Sequence, residues 1–352
     1  MNETKTITNS TSFGLASKVK DYFQLIKFTL SFMVVFSTVV SFLIAPNEQF
    51  YVREKIISVL LLFVAGMLVT GSANAINQIL EKKSDGLMMR TAKRPVASGR
   101  MSVNEAGIFA FITGAAGVFM MWKFFNTESA MVSLLSLFLY GFIYTPLKKV
   151  NSISVLVGAI PGALPCLIGW VAAYGNEPIS WTGAWVLFGI QFLWQFPHFW
   201  AIAWLAHKDY TAAGFKLLPT DKGPTKFTAM QSIIYSALMI PMGFVPYFTG
   251  IAGITSLFIL LACNLWMVYV SVLLFLRMDA KSARRVMFSS YFYLMIVLLA
   301  LFANRKPIPN PFPKGRELSE RIEKINKEIS YKSAMQMKMN KITGVWYIKN
   351  KT

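Results

Sequence analysis

Apolar runs of about twenty residues recur along most of this chain, and no soluble fold can absorb so many of them. Each is long enough to cross roughly 30 Å of hydrocarbon. Inside a bilayer every backbone N–H and C=O must be satisfied within the protein, which leaves only helices or closed barrels. The alternating short segments of barrel strands are absent. The expected fold class is therefore all-α, a polytopic membrane helical bundle of about nine transmembrane helices. The spans read as 23–45, 55–80, 103–123, 128–147, 152–174, 181–206, 227–249, 253–276 and 284–303. Residues 1–20 then form a polar N-terminal segment, 21–303 a transmembrane domain, and 304–352 a basic tail of unassigned role. The tail opens with Pro307, Pro309, Pro311 and Pro313. A charged helical pattern follows over 317–329, with Glu320/Lys324 and Glu323/Lys327 at helical spacing.

The formal net charge is +19, from 35 Lys and Arg against 16 Asp and Glu. In a soluble chain that balance would point to nucleic acid. Here only 14% of residues are charged, and the basic ones collect between apolar spans. Lys82, Lys83, Arg90, Lys93, Arg94 and Arg100 follow the second span, Lys148 and Lys149 the fourth, and Arg277, Lys281, Arg284 and Arg285 the eighth. The alternate connections, 45–54 and 173–180, are nearly free of Lys and Arg. The expected partner is the lipid bilayer, with no nucleic acid, and the basic loops face the cytoplasm. The N-terminus lacks the apolar core of a signal peptide and has no arginine before the first span, so a bacterial inner membrane is the simpler expectation. Cys166 and Cys263 sit inside spans with no metal-type spacing.

Against this apolar background one polar stripe stands out. Asn77, Glu81 and Asp85 lie at i, i+4 and i+8 where the second span meets water, so a helix would put them on one face. Three hard oxygen donors on one face suit a magnesium ion carrying a diphosphate. Arg90 and Arg94 follow, with donors in the fork geometry that grips phosphate oxygens. The bland alternative is a solvated helix cap, but Asn77 is inside the apolar register, and ionisable groups at membrane depth are functional candidates by default. Two further polar connections lie on the same side. One is Tyr144-Thr145-Pro146-Leu147-Lys148-Lys149. The other is Trp194-Gln195-Phe196-Pro197-His198-Phe199-Trp200 leading to Asp209-Tyr210. His198 reads either as a hydrogen-bonded core residue or as a ligand. Asp209 reads either as a partner to a metal opposite Asp85 or as a loop cap. Gly158, Pro161, Gly162 and Pro165 read as close-packing positions in a bundle rather than as cofactor contacts.

The run Asn77-x3-Glu81-x3-Asp85, continuing into Arg90-Thr91-x2-Arg94-Pro95, resembles the first signature of the intramembrane aromatic prenyltransferases. The Tyr144 to Lys149 stretch, the segment 158–170, and Trp194-Gln195-x-Pro197-His198-Phe199 with Asp209-Tyr210-x3-Gly214-x3-Leu218-Pro219 resemble the haem-modifying branch, the protohaem IX farnesyltransferases. The resemblance covers roughly 20–303. It implies transfer of a farnesyl group from farnesyl diphosphate to a vinyl group of haem B, forming haem O, with Mg²⁺ as the divalent cation. On that reading Asn77, Glu81 and Asp85 are the metal-binding and catalytic residues, Arg90, Arg94, Lys148 and Lys149 bind diphosphate, and His198 and Trp194 bind haem. Asp209 and Tyr144 belong to a second site, and haem A synthase is a candidate partner. The superfamily's second Asp-x3-Asp pair is missing after the sixth span, which favours the haem branch over quinone-precursor enzymes. A transporter, with the stripe binding a solute, is the rival from another class.

Overall fold

The computed structural model describes residues 14–45, 52–220 and 222–306, together with 323, 325–327 and 329–331 of the tail. The chain forms α1 (Leu15–Leu25), α2 (Phe28–Ile44), α3 (Val52–Leu80), α4 (Lys82–Leu87), α5 (Val103–Phe124) and α6 (Thr127–Phe138). A π-helical turn (Leu139–Tyr144) leads into α7 (Thr145–Leu147). Then come α8 (Ser154–Ala172), α9 (Trp181–Leu205), α10 (His207–Ala212), α11 (Lys226–Phe248), α12 (Ile254–Arg277) and α13 (Ala280–Ala303). Among the described residues eight helices are long and apolar enough to span a bilayer, and α1 with α2 makes a ninth if that pair, bent by 53°, counts as one span. Among the described residues the only β pairing is an isolated bridge between Ala252 and Arg305. The protein is an integral membrane protein.

Several helices start where the sequence supplies a cap. Ser102, Asn126, Thr225 and Asp279 accept from the backbone N–H three residues on and open α5, α6, α11 and α13. Successive spans then pack side by side in a closed circuit. α3 lies against α5 and α2, α8 against α2, α6 and α9, α9 against α11 and α13, and α13 returns to α2. α8 is the most enclosed of these, since its small residues let neighbours come close. At Gly169 an added Cβ would run into the Thr38 carbonyl oxygen, and at Gly162 into the Gln195 amide. Pro161 and Pro165 sit inside α8 without breaking it. The Pro161 carbonyl, which Pro165 cannot pair, accepts from Ser136 Oγ at 3.4 Å.

The first span differs from the reading 23–45. The helix breaks at Ile26–Lys27, and Lys27 adopts the left-handed conformation at φ 49° and ψ 56°. The carbonyls freed by the break are taken up by α3. Gln78 Nε2 donates to the Gln24 and Leu25 carbonyls at 2.9 and 3.0 Å, and Asn74 Nδ2 donates to that of Ile26 at 3.2 Å. α1 thus begins inside the segment read as the polar N-terminus. Arg100 Nε donates to Asp21 at 2.9 Å, and Lys18 pairs with Glu105 at 3.0 Å, tying α1 to the start of α5.

A first compact unit runs to Ile308 and a second from Pro309 onward. In the tail the described residues are helical, and Glu323 pairs with Lys327 at 2.6 Å in an exposed i,i+4 bridge. The proline run and the Glu320/Lys324 pair lie outside the described residues.

Gly169→Ala should destabilise the bundle by about 1–3 kcal/mol, because the clash is with backbone rather than a movable side chain. Gly107 sits on a helix with open space around it, so Gly107→Ala should be neutral or stabilising by up to about 1 kcal/mol. Thermal unfolding of the two detergent-purified variants checks the contrast.

Candidate active site

The polar stripe does come together in space. α3 ends at Leu80, yet the hydrogen-bond ladder carries on, from Glu81 N–H to Asn77 O at 2.9 Å and from Asp85 N–H to Glu81 O at 2.7 Å. Asn77, Glu81 and Asp85 therefore keep helical register across the junction with α4, and all three are buried. Each faces a cation. Lys27 Nζ donates to Asn77 Oδ1 at 2.7 Å, and Lys148 Nζ donates to Glu81 Oε1 at 2.7 Å. Arg94 Nη1 reaches both oxygens of Asp85 at 2.8 Å. Burial works to raise the Glu81 pKa, but Lys148 and Lys27 outweigh it and hold the carboxyl below its ordinary range. Burial likewise works to lower the Lys148 pKa, and Glu81 outweighs that and raises it. Both groups are charged at neutral pH.

Different elements deliver these cations. The left-handed backbone at Lys27 turns that side chain back onto α3. Arg90 and Arg94 come from the loop 88–101, which Thr91 Oγ1 ties to the Asp85 carbonyl at 2.9 Å. Arg100 anchors the far end of that loop through Asp21 and the Lys93 carbonyl. Lys148 follows a π-helical turn that directly precedes Pro146. Proline cannot donate to the carbonyl four residues back and crowds it, so the ladder widens to i−5. Thr145 fills the gap, its hydroxyl donating to the Tyr140 carbonyl at 2.8 Å and accepting from Asn77 Nδ2 at 3.2 Å. The wider turn leaves Tyr140 and Tyr144 with ring centroids 5.4 Å apart, and Lys148 Nζ lies 4.5 Å from the Tyr144 ring centre.

These groups line a cavity of about 200 Å³. Asn77, Glu81, Asp85, Arg90, Arg94, Tyr144 and Lys148 from the sequence analysis are all on its wall. Arg90 Nη2 donates to the Tyr210 hydroxyl at 3.0 Å across the mouth. Phe199 and Tyr210, part of the motif read from sequence, also line it, as do Lys27 and Tyr140, which were not singled out. A cation on an apolar run, directly before the first span's continuous helix, is the signal that marks Lys27. A narrower apolar extension of about 90 Å³ adjoins this cavity, with Leu30 and Tyr140 on the walls of both. It runs into the bundle between α2, α3, α6 and α8.

Four sequence candidates are not on this wall. Lys149 is exposed on the loop beside Lys148. Asp209 does not reach the cavity, whereas its neighbour Tyr210 does. His198 and Trp194 point to another face of α9, because adjacent helical residues diverge by about 100° and Phe199 takes the cavity side. His198 Nδ1 meets Ser290 Oγ of α13 at 2.7 Å. That hydroxyl donates to the Met287 carbonyl at 2.6 Å, so the imidazole carries its proton on Nδ1 and leaves Nε2 as an acceptor. Trp194 stacks on His198 at 4.8 Å and donates to the Ser290 carbonyl. Trp200 lies on a further face, against Tyr235.

Among the described residues no three His, Cys, Asp or Glu side chains cluster as a metal site by themselves. Two carboxylates with an amide oxygen are nevertheless a donor set that fits Mg²⁺, which takes one or two carboxylates and completes its shell with waters and substrate phosphates.

Comparison with known proteins places this geometry. Residues 34–297 match the UbiA prenyltransferase family. The protoheme IX farnesyltransferase of Cytophaga hutchinsonii is 42% identical over 83% of this chain and 99% of its own length. That of Flavobacterium psychrophilum is 41% identical over 80% and 93%. Among solved structures, a digeranylgeranylglyceryl phosphate synthase superposes with a TM-score of 0.67 at 22% identity, covering 82% of this chain and 98% of that one. An Archaeoglobus fulgidus UbiA homologue bound to DMAPP and Mg²⁺ gives 0.59 at 14%, covering 80% and 99%. The structures share the fold, and the sequence relatives share most of their length. This chain belongs to the UbiA prenyltransferase family.

Proposed function

We propose that this protein transfers the farnesyl group of farnesyl diphosphate to a vinyl group of protohaem IX, forming haem O and diphosphate. The observation that carries the reading is a cluster of four cations and three oxygen donors set at the mouth of an apolar slot. That pairing suits a substrate with a highly charged head and a hydrocarbon tail. The relatives named protoheme IX farnesyltransferase, similar over nearly their whole length, supply the acceptor.

Asn77, Glu81 and Asp85 would hold the divalent cation, which when bound neutralises charge building on the leaving diphosphate. Lys27, Lys148, Arg90 and Arg94 would donate to diphosphate oxygens in place of the Asn77, Glu81, Tyr210 and Asp85 oxygens they now hold. The C1–O bond breaks with its electron pair leaving on diphosphate. Tyr140, Tyr144 and Phe199 line the cavity where the allylic cation would form, and the bundle shelters it from water. The vinyl π electrons make the new carbon–carbon bond. Water adds to the resulting cation and releases one proton, which completes the hydroxyethylfarnesyl group.

The site lies at the end of the bundle where the basic loops gather, so it faces the cytoplasm of a bacterial inner membrane. Haem approaches through the seam between α9 and α13, where His198 offers Nε2 beside Trp194 and the half-exposed Tyr291. A haem A synthase is the expected consumer of the product. Lys149 and Asp209 keep supporting places at the loops, Lys149 drawing anionic headgroups and substrate and Asp209 beside Tyr210.

Purified protein given farnesyl diphosphate, Mg²⁺ and either haem B or hydroxybenzoate should yield only the farnesylated haem by mass analysis. A prenylated benzoate, or no product, overturns the assignment. Asp85→Asn should lower turnover by about a hundredfold or more while leaving the elution profile of the purified protein unchanged. Near-wild-type turnover in that variant removes the stripe from catalysis. His198→Ala should weaken haem binding and shift the haem absorption band; an unchanged spectrum and affinity rule out haem contact at that residue.

A further inference from the structure

One residue of α13 holds both His198 and Trp194, the pair that lies off the diphosphate cavity. The two are four residues apart on α9 and share a side of it, with ring centroids 4.8 Å apart and planes 16° from parallel. Ser290 meets each of them. Its carbonyl accepts from Trp194 Nε1 at 2.6 Å, and its hydroxyl lies 2.7 Å from His198 Nδ1. Ser290 is fully buried, and the next residue of α13, Tyr291, sets its ring nearly perpendicular to the imidazole with centroids 4.9 Å apart.

The Ser290 hydroxyl has one proton, which goes to the Met287 carbonyl at 2.6 Å, one turn back on α13. Toward His198 it can therefore only accept, and this puts the proton of the neutral imidazole on Nδ1. Trp194 covers a ring face, Tyr291 stands against the ring from α13, and Nδ1 is engaged by Ser290. Among the described residues no group bonds Nε2, which keeps its lone pair. An imidazole with Nδ1 protonated and Nε2 bare is the form that ligates a metal through Nε2. In the other tautomer Nε2 carries the proton and cannot ligate, so the acceptor at Nδ1 decides whether the ring is competent. That acceptor is a neutral hydroxyl rather than a carboxylate. It raises the basicity of the ring only modestly, which suits a ligand that must release its haem once product has formed.

We propose that Ser290 is a positioning residue for the haem substrate, locking His198 in the Nδ1–H tautomer against Trp194 so that Nε2 is free to ligate the haem iron. The proposal rests on the haem reading above and adds to it the residue that prepares the ligand. Ser290 is not on the wall of the diphosphate cavity, so its effect is confined to the acceptor side.

The chain has two histidines, so protein labelled with ¹⁵N-histidine gives signals from two imidazoles, and His207→Asn assigns them. Without haem, wild type should show His198 protonated at Nδ1. Ser290→Thr should match it, because threonine keeps a hydroxyl that can bond the same turn of helix. Ser290→Ala should place the proton on Nε2 in a large part of the molecules. A wild-type ring protonated on Nε2, or an unchanged tautomer in Ser290→Ala, overturns the lock, and the wild-type signal decides even where a variant fails to fold. Haem B is then titrated into the same proteins and followed by its absorption spectrum. Ser290→Ala should bind about tenfold or more weakly, as metal sites do when the partner of a ligating histidine is removed, with Ser290→Thr close to wild type. Binding of farnesyl thiodiphosphate should be the same in all three, which separates a lost ligand from a lost fold. Equal haem affinity and spectrum in Ser290→Ala, with His198→Ala impaired, overturn the proposal. A tautomer that follows Ser290 while neither Ser290→Ala nor His198→Ala alters haem binding would instead overturn haem contact at His198 and leave the lock standing.

Discussion

The rest of this structure depends on three buried contacts at the inner end of α3. Lys27 meets Asn77, Lys148 meets Glu81, and Arg94 meets Asp85, at 2.7, 2.7 and 2.8 Å. Desolvating such charges costs about as much as the pairing returns, so stability alone is a weak reason to keep them. Their geometry gives a better reason. The three cations come from three separate segments and converge on one helical stripe. Each holds a donor that a metal–diphosphate complex would engage. In the proposed reaction, a bound metal–diphosphate complex would supply anionic oxygens to the cations and a cation to the carboxylates. The pairs hold the three side chains of the stripe and their cations in place.

That arrangement reaches into the fold through two departures from regular helix. The break at Lys27 would strand carbonyls in a low-dielectric setting, were it not for Gln78 and Asn74. Those amides flank Asn77 on the same helix, so the residues that stabilise the break and the residue that receives Lys27 form one surface of α3. The π-helical turn before Pro146 does the same for the other side of the cavity. It re-aims Tyr140 and Tyr144 and sets Lys148 over the site. Thr145 satisfies the widened ladder and bonds Asn77 as well. Asn77 is therefore joined to both irregular elements, which explains why a neutral amide occupies the first position of a stripe otherwise made of carboxylates.

Much of the site was legible because it depends on local periodicity. The i, i+4, i+8 spacing of Asn77, Glu81 and Asp85 is a property of the helix itself, and it survives the junction at Glu81. The same holds for the spans, whose apolar lengths alone locate eight of the helices. What escaped reading depends on contacts distant in sequence. Nothing near Lys27 announces a break in an apolar run; the break is made by amides some fifty residues away on α3. His198 and Phe199 are neighbours in sequence, and only the packing of α9 decides which one faces the cavity. It gave that place to Phe199 and turned His198 to Ser290. Asp209 drew attention as a carboxylate, but the adjacent Tyr210 is the residue that closes the mouth with Arg90.

The distribution of polar groups also decides between an enzyme and a solute carrier. A carrier needs a polar binding place near the bilayer midplane and a route to both sides, commonly built on interrupted helices. Here Asn77, Glu81, Asp85 and their cations all lie at one end of the bundle. Beneath them the lining turns mostly apolar within two turns of α3, with Met121 and Ile168 on the wall. The helices that carry internal prolines, α8, α9 and α11, run through without interruption. A solute entering the charged cavity would meet a narrow, mostly apolar slot without a charged side chain on its wall. A molecule whose charged end stays at the mouth while its hydrocarbon end fills the slot matches every wall. Once bound in that way, it presents only the carbon between the two to an incoming acceptor.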